Sequence, residues 1–136
     1  MAVDKAMLLA MMAAAKDVRE RAYAPYSGFK VGAAVLGGSG KKVYLGCNVE
    51  NASYGLSLCA ERVAISRAIS EGEKTISAVV IVGGEKAPAR PCGACLQVMA
   101  EFAPRDEPLV IATVAEDMSY DVHTLDEYLP MRFELE

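Results

Sequence analysis

Hydrophobic positions along the chain switch between helical and extended spacing, which predicts a mixture of helices and strands. Alanine, methionine and leucine recur at helical spacing near the start, before Pro25 and a turn-prone segment. Short apolar runs rich in valine and isoleucine follow, separated by glycines and polar residues. Helices are predicted at about 4–22, 58–70, 91–102 and 125–129, and strands at 31–36, 42–49, 76–82, 109–115 and 120–122.

The order of these elements predicts the fold class. Gly37-Gly38-Ser39-Gly40 lies between the first two strands and is typical of a hairpin turn. The run at 76–82 is apolar throughout, as in a strand that is buried on both faces. We therefore expect an α/β fold with three layers, α/β/α, around a mixed five-stranded sheet that is antiparallel at its start and parallel later. No linker or repeat interrupts the pattern, so residues 1–136 are predicted to form a single domain.

Composition and charge narrow the classes of partner. Hydrophobic residues make up 53% of the chain and charged residues 24%, which is enough apolar material for a packed core. The net charge is -4, and the lysines and arginines are scattered rather than clustered. A stable complex with nucleic acid is therefore not expected, and a small, weakly charged molecule is the better candidate for a ligand.

One apolar run could be mistaken for a targeting segment. Ala6 to Ala15 follows Lys5 and has the length of a signal-peptide core. The apolar pattern continues past Lys16 to Val18, however, as in an amphipathic helix. No run approaches the length of a membrane span. The sequence therefore predicts a cytoplasmic protein without a membrane partner.

Three cysteines and one glutamate carry the predicted chemistry. Cys59 is followed two residues later by Glu61, and Cys92 and Cys95 form a Cys-x-x-Cys pair after Pro91. Three such ligands with a non-ligand carboxylate are the arrangement of zinc-dependent nucleobase deaminases. Three protein ligands leave one tetrahedral position for water, which zinc acidifies to a pKa of roughly 7. Glu61 is then free to act as the proton shuttle.

Helix starts and a neighbouring arginine are expected to favour the thiolate form of the cysteines. Cys59 is predicted in the first turn of one helix, and Pro91 suits the first turn of the next, which Cys92 would begin. Helix starts favour thiolates. Three thiolates and Zn²⁺ sum to one negative charge. Arg62 is therefore predicted to hydrogen-bond the ligand sulfurs and offset that charge.

Two other interpretations of the cysteines stay open at this point. A closed structural zinc site would need a fourth ligand, for which Cys47 and His123 are the candidates. Such a site gives no reason for Glu61. A redox function of the Cys-x-x-Cys pair is also possible, but it leaves Cys59 without a role.

Four motifs in order resemble those of the small, single-domain cytidine deaminases, and the resemblance runs from one end of the chain to the other. One departure is Leu96, where many relatives carry arginine, and it is expected to affect a salt bridge or interface rather than the reaction. The matching segments are residues 26–34 (YSGFKVGAA), 48–55 (NVENASYG), 59–62 (CAER) and 91–95 (PCGAC) with Gln97.

The resemblance implies a role for each matching residue. It implies a homotetramer with shared active sites, in which the aromatic residue of the tail that follows Leu129-Pro130 reaches a neighbouring subunit's pocket. It also implies a ribose 3′-hydroxyl held by a polar pair, an aromatic ring near the base and a substrate contact at the start of the catalytic helix. The residues in these roles are Cys59, Cys92 and Cys95 on zinc, Glu61 as acid and base, Asn48 and Glu50 on the ribose, Phe29 near the base, Ala60 on the substrate and Phe133 in the tail.

The predicted function is hydrolytic deamination of cytidine and 2′-deoxycytidine to the uracil nucleosides and ammonia, in pyrimidine salvage. Phosphorylated substrates are not favoured, because the sequence has no recognisable phosphate-binding loop. One alternative is a zinc aminohydrolase for a modified cytosine nucleoside, such as a blasticidin-like antibiotic. A different class of function is a non-catalytic zinc protein or an RNA-binding accessory subunit, which would bind zinc without turnover.

Overall fold

A computed structural model describes residues 3–85 and 87–135. The chain begins with a helix, continues through a hairpin and then alternates between helices and strands, with a short 3-10 turn at Tyr54–Leu56. The elements are α1 Lys5–Arg19, β1 Gly32–Gly37, β2 Val43–Cys47, α2 Ala60–Ser70, β3 Ile76–Val82, α3 Gly93–Phe102, β4 Val110–Val114, β5 Tyr120–Thr124 and α4 Leu125–Tyr128.

The five strands form one mixed sheet in the order β2-β1-β3-β4-β5. β1 pairs antiparallel with both β2 and β3, and β3 pairs parallel with β4 across the α3 crossover. β5 turns back and pairs antiparallel with β4. The predicted mixed five-stranded sheet is confirmed, and its parallel part is the single pair β3 and β4.

Alternate residues of the central strands divide the core into two layers. Val79 and Ile81 of β3 belong to the layer under α2, α3 and α4, whereas Val80 belongs to the layer under α1. All seven residues of β3 are buried, which confirms a strand covered on both faces. The three-layer α/β/α arrangement follows from these two packed faces.

The predicted element boundaries differ from the structure by a few residues at helix ends. α1 starts after Asp4, whose side chain accepts the backbone N–H of Met7 at 2.8 Å and so caps the helix. It ends at Arg19, so the expected extension to residue 22 is wrong. Within the described residues, no helix combines the length and the apolarity needed to cross a bilayer.

A close approach between β2 and α2 sets the position of α2. A Cβ atom on Gly46 would lie 2.5 Å from the backbone nitrogen of Ala64 and 2.7 Å from the carbonyl oxygen of Ala60. Only glycine leaves room for this contact, because real Cβ atoms do not approach backbone so closely. The first turn of α2 therefore lies directly against the sheet. This contact fixes how far Glu61, in that turn, stands from β2.

Candidate active site

Two helix starts meet at one edge of the sheet and bring the three cysteines together. Cys59 and Cys92 are the N-caps of α2 and α3, with extended backbone at ψ 152 and 169. Their carbonyls accept the first helical hydrogen bonds, from Val63 at 3.2 Å and Leu96 at 3.0 Å. The expected placement of Cys59 and Pro91 in first helical turns is thus wrong. For Cys59 the reason is that Leu58 pairs with Val49 in a β-bridge and delays the start of α2.

The sulfur atoms of Cys59, Cys92 and Cys95 all lie within 4.8 Å of one another. Cys92 is exposed, Cys59 is half-buried and Cys95 is buried, so the cluster opens to one side. Among residues 3–85 and 87–135 this is the one group of three or more side chains that could hold a metal ion. Neither Cys47 nor His123 joins it, so the closed four-ligand site has no fourth ligand there.

Arg62 reaches the cluster from α2. Its Nη2 donates to the Sγ of Cys59 at 3.4 Å and to the carbonyl of Ser57 at 3.4 Å. A hydrogen bond with the Cys95 thiol, followed by the bond and charge of Arg62, lowers the pKa of Cys59 to about 5 against the opposing effect of burial. Arg62 Nε is buried and has no hydrogen-bond partner in the part of the chain that the structure describes. The cation therefore stabilises thiolate at this site.

Glu61 is a buried carboxylate beside the sulfurs. Its residue exposure is only 4%. Burial is the largest cause that raises the pKa of Glu61 above its ordinary value, and the negative charge of Cys59 adds to it. A backbone hydrogen bond, a hydrogen bond with Cys95 and the charge of Arg62 act in the opposite direction. A buried carboxyl group with a raised pKa is the kind of side chain that general acid-base chemistry uses.

A pocket of about 230 Å³ opens onto Cys59, Cys92 and Glu61. It is lined by four of the five residues that sequence analysis assigned to the substrate, Phe29, Asn48, Glu50 and Ala60. Phe29 is 44% exposed, so its ring is available to a ligand. The pocket thus brings together the cysteine cluster, the buried carboxyl group of Glu61 and the polar pair Asn48 and Glu50.

Asn48 and Glu50, the polar pair in the pocket, are held in place by hydrogen bonds to neighbouring residues. Asn48 accepts the N–H of Val31 and donates to the carbonyl of Phe29, both at 2.8 Å. Glu50 accepts N–H groups from Tyr26 at 3.0 Å and Ser27 at 3.1 Å, and also the Ser27 hydroxyl. The Ser27 hydroxyl, the largest cause, and the two backbone bonds lower the pKa of Glu50, so it is an ionised acceptor.

Phe133 is the one predicted substrate residue that lies outside this pocket. It is 69% exposed and lines a different cavity of about 550 Å³, where its carbonyl accepts Gln97 Nε2 at 3.0 Å. Arg62 and Cys95 also do not line the pocket, but both contact residues that do. Leu96 is buried, at 7% exposure, in the layer under α2 and α3.

The pocket also contains residues that sequence reasoning did not assign. Among the described residues, Arg90 is the one basic residue that lines it, beside Ala89 in the loop before α3, and Ser57 and Leu58 line it just before α2. The loop between residues 83 and 92 carries no motif of its own. Proximity of Arg90 to Pro91-Cys92 is the one signal that could have identified it.

Comparison with known proteins bears directly on this fold and site. A family model described as the cytidine and deoxycytidylate deaminase zinc-binding region matches residues 6–112. A cytidine deaminase of Halalkalibacterium halodurans is 45% identical over 134 residues, which cover 98% of this chain and 97% of that protein. A cytidine deaminase of Sporosarcina psychrophila is 40% identical and covers 93% and 90% respectively.

Solved structures agree with the sequence relatives. The crystal structure of cytidine deaminase from Burkholderia pseudomallei superposes with a TM-score of 0.85 at 45% identity, over 92% of this chain and 98% of that one. The fold and the site thus define the class of zinc-binding deaminases. The chain belongs to the cytidine deaminase family, which consists of hydrolases.

Proposed function

We propose that this chain, as a single domain over residues 1–136, catalyses zinc-dependent hydrolytic deamination of cytidine and 2′-deoxycytidine to the uracil nucleosides and ammonia. The observation that carries the proposal is the pocket of about 230 Å³ that unites Cys59, Cys92 and Glu61 with Phe29, Asn48 and Glu50. Cytoplasmic pyrimidine salvage is the corresponding role.

The donor set fits zinc. Three thiol sulfurs within 4.8 Å of one another suit a soft or borderline metal in tetrahedral coordination. Cys59, Cys92 and Cys95 would hold the ion. When bound, zinc supplies the Lewis acidity that makes water a nucleophile near neutral pH. Arg62 offsets the excess negative charge of three thiolates by its bond to Cys59.

Glu61 is proposed to move the protons of the reaction. It takes a proton from water and gives it to the ring nitrogen of cytosine while the water oxygen attacks the carbon that bears the amine. It then passes the second proton to departing ammonia, so that water and cytidine yield uridine and ammonia. Burial keeps competing water away from this carboxyl and raises its pKa above the ordinary value, which suits a group that must return a proton.

The remaining pocket residues are proposed to bind the nucleoside. Phe29 packs near the base, Ala60 contacts it from the start of α2, and Asn48 and Glu50 hold the ribose 3′-hydroxyl. The amide and the carboxylate come from one short segment and line one pocket, so both can reach the same hydroxyl.

A homotetramer is proposed as the working assembly. Several large apolar side chains beside the pocket are exposed, including Tyr54 at 80% and Leu56 at 66%, and they would be covered by neighbouring subunits. Phe133 lies away from its own chain's pocket, in agreement with a role in a neighbour's.

The test is ammonia release from cytidine, 2′-deoxycytidine and cytidine monophosphate by zinc-replete protein. Rapid turnover of the free nucleosides is expected, and Glu61→Gln should lower kcat by about 10²–10⁴-fold because it removes a general acid and base. Zinc per chain should stay unchanged, since Glu61 is not a ligand. Glu107→Gln, in an exposed loop outside the pocket, is the matched control.

Three results would redirect the proposal. Turnover of a blasticidin-type nucleoside alone would point to an antibiotic deaminase. One zinc per chain without turnover of any cytosine nucleoside would point to a non-catalytic zinc protein. Loss of zinc in Glu61→Gln would make Glu61 a structural residue instead of a proton shuttle.

A further inference from the structure

Ser27 joins two parts of the pocket that are far apart in sequence. Its hydroxyl donates to Oε2 of Glu50, and its backbone N–H donates to Oε1 of the same carboxylate at 3.1 Å. The same hydroxyl oxygen accepts the backbone N–H of Phe29 at 3.0 Å. Gly28 lies between the two residues with φ 70, and this left-handed turn lets both bonds form. One hydroxyl therefore connects the carboxylate to the backbone of the aromatic residue.

The bonds already made determine which acceptor of Glu50 is left. An ionised carboxylate offers about four acceptor positions. Oε1 is occupied by the N–H groups of Tyr26 and Ser27, and one position of Oε2 by the Ser27 hydroxyl. Within the part of the chain that the structure describes, the acceptor position without a donor therefore belongs to Oε2, the oxygen that the Ser27 hydroxyl bonds.

Asn48 offers a hydrogen-bond donor that complements this acceptor. Its Oδ1 accepts the N–H of Val31 and one N–H of Nδ2 donates to the carbonyl of Phe29, so its second amide N–H has no partner among residues 3–85 and 87–135. A hydroxyl group that donates to Glu50 and accepts from Asn48 satisfies both. A terminal carboxylate torsion is otherwise broad, so the direction of the free Oε2 position depends on the bond that fixes it.

We propose that Ser27 is a positioning residue for nucleoside selection: its hydroxyl fixes Oε2 of Glu50 so that the free acceptor faces the ribose 3′-hydroxyl. This inference rests on the proposed deaminase function and on the assignment of Glu50 to the ribose. Ser27 need not touch the substrate, since it acts through Glu50.

The test compares cytidine with 3′-deoxycytidine, which lacks the hydroxyl in question. Ser27→Ala should raise KM for cytidine about tenfold and leave kcat within about twofold, because it removes a charge-assisted hydrogen bond that orients binding. KM for 3′-deoxycytidine should change less than about twofold, since that substrate makes no such contact. Ser27→Thr keeps the hydroxyl and should restore the cytidine KM.

The chain offers a matched control in the hairpin turn. Ser39 donates its backbone N–H at 3.2 Å and its hydroxyl at 3.1 Å to a single carboxylate, that of Glu73. This repeats the Ser27 pattern outside the pocket. Ser39→Ala should therefore leave KM unchanged for both substrates. If Ser27→Ala fails to fold, Ser27→Cys replaces it, because a thiol is a weak donor of similar size.

The outcomes separate this inference from the proposed function. An equal rise of KM for both substrates in Ser27→Ala would mean that Ser27 shapes the Phe29 loop only, and an unchanged KM for cytidine would mean that Glu50 is oriented without it. Either result overturns the inference while the enzyme remains a deaminase. Wild-type protein that releases no ammonia from cytidine would instead overturn the proposed function, and the inference with it.

Discussion

Arg62 is the residue whose single charge matters most for the three cysteines. Arg62→Gln should weaken zinc retention or kcat/KM about tenfold, because partners that hydrogen-bond metal ligands typically contribute that much. The substitution removes the bond to Cys59 at 3.4 Å and the only positive charge that contacts the sulfurs among the described residues. Competition with a chromogenic chelator measures the zinc affinity.

The same helix supplies the control for that prediction. Arg67 pairs with Glu71 at 2.9 Å on the exposed side of α2. Arg67→Gln changes the net charge equally but should leave zinc affinity and kinetics near wild-type values. Unchanged metal affinity and kinetics in Arg62→Gln would show that the thiolates do not need this cation.

The metal-ligating residues could be predicted because spacing along the chain identifies them. Cys59, Glu61 and the Cys92–Cys95 pair are short local motifs, and the structure brings their side chains together. Ser27 and Arg90 are different. Ser27 meets Glu50 only through long-range folding, and no local pattern encodes that contact. Arg90 lies two residues before Cys92, so its place beside this motif is the one local signal for it, although nothing in the sequence shows that its side chain lines the pocket.

The strands could be predicted more closely than the helix starts. β3 is found at Ile76–Val82, as its continuous apolar run predicted. α2 and α3 begin later than expected, at Ala60 and Gly93. In α2 the bridge between Val49 and Leu58 competes with helix formation, and this long-range pairing is invisible to helical periodicity.

Tyr44 ties the β1–β2 hairpin to the segment after α2. Its side chain is nearly buried, and its hydroxyl donates to Glu73 Oε2 at 2.8 Å. Tyr44→Phe should lower the Tm by about 4 °C at pH 7, since a hydrogen bond to a carboxylate is lost from a chain of this size. Thermal unfolding followed by circular dichroism measures the change, with Tyr120→Phe on edge strand β5 as control.

The pH dependence of this effect has a defined sign. The Tyr44 hydroxyl, and then Ser39, lower the pKa of Glu73 below its usual 4.5. A lowered folded-state pKa adds stability above the unfolded pKa and loses it as pH falls through the folded value. The bond raises the pKa of Tyr44 to about 12, so its contribution is intact up to about pH 10. The Tm difference should therefore shrink below about pH 4, and a constant difference at pH 3 would contradict this account.

In the whole molecule, different helices cover the two faces of the one sheet. α1 covers one face, and α2, α3 and α4 cover the other, where the cysteines lie. The order of the elements and the continuous apolar run at 76–82 predicted these layers. The assembly, in contrast, could not be predicted from the packing of one chain. The tail residues Met131 and Leu135 are exposed at 97% and 90% in a single chain, so their role depends on contacts with other chains.

Mixed assemblies can test whether Phe133 completes a neighbour's site. Phe133→Ala alone should raise KM roughly tenfold through loss of an aromatic contact, and Glu61→Gln alone should be nearly inactive. In coexpressed equimolar mixtures, half of the chains keep Glu61 and half of their neighbours keep Phe133. About a quarter of the sites would then be wild-type in composition if the symmetric assembly shares residues.

Steady-state kinetics at low cytidine concentration would reveal those restored sites. Because Phe133 lines a different cavity from its own Glu61, complementation requires a contact between chains. Met131→Ala, in the same exposed tail, should keep a wild-type KM and provide the control. Activity equal to the sum of the two separate variants would show that Phe133 does not cross to a neighbouring pocket, and the shared-site tetramer would then lose its main support.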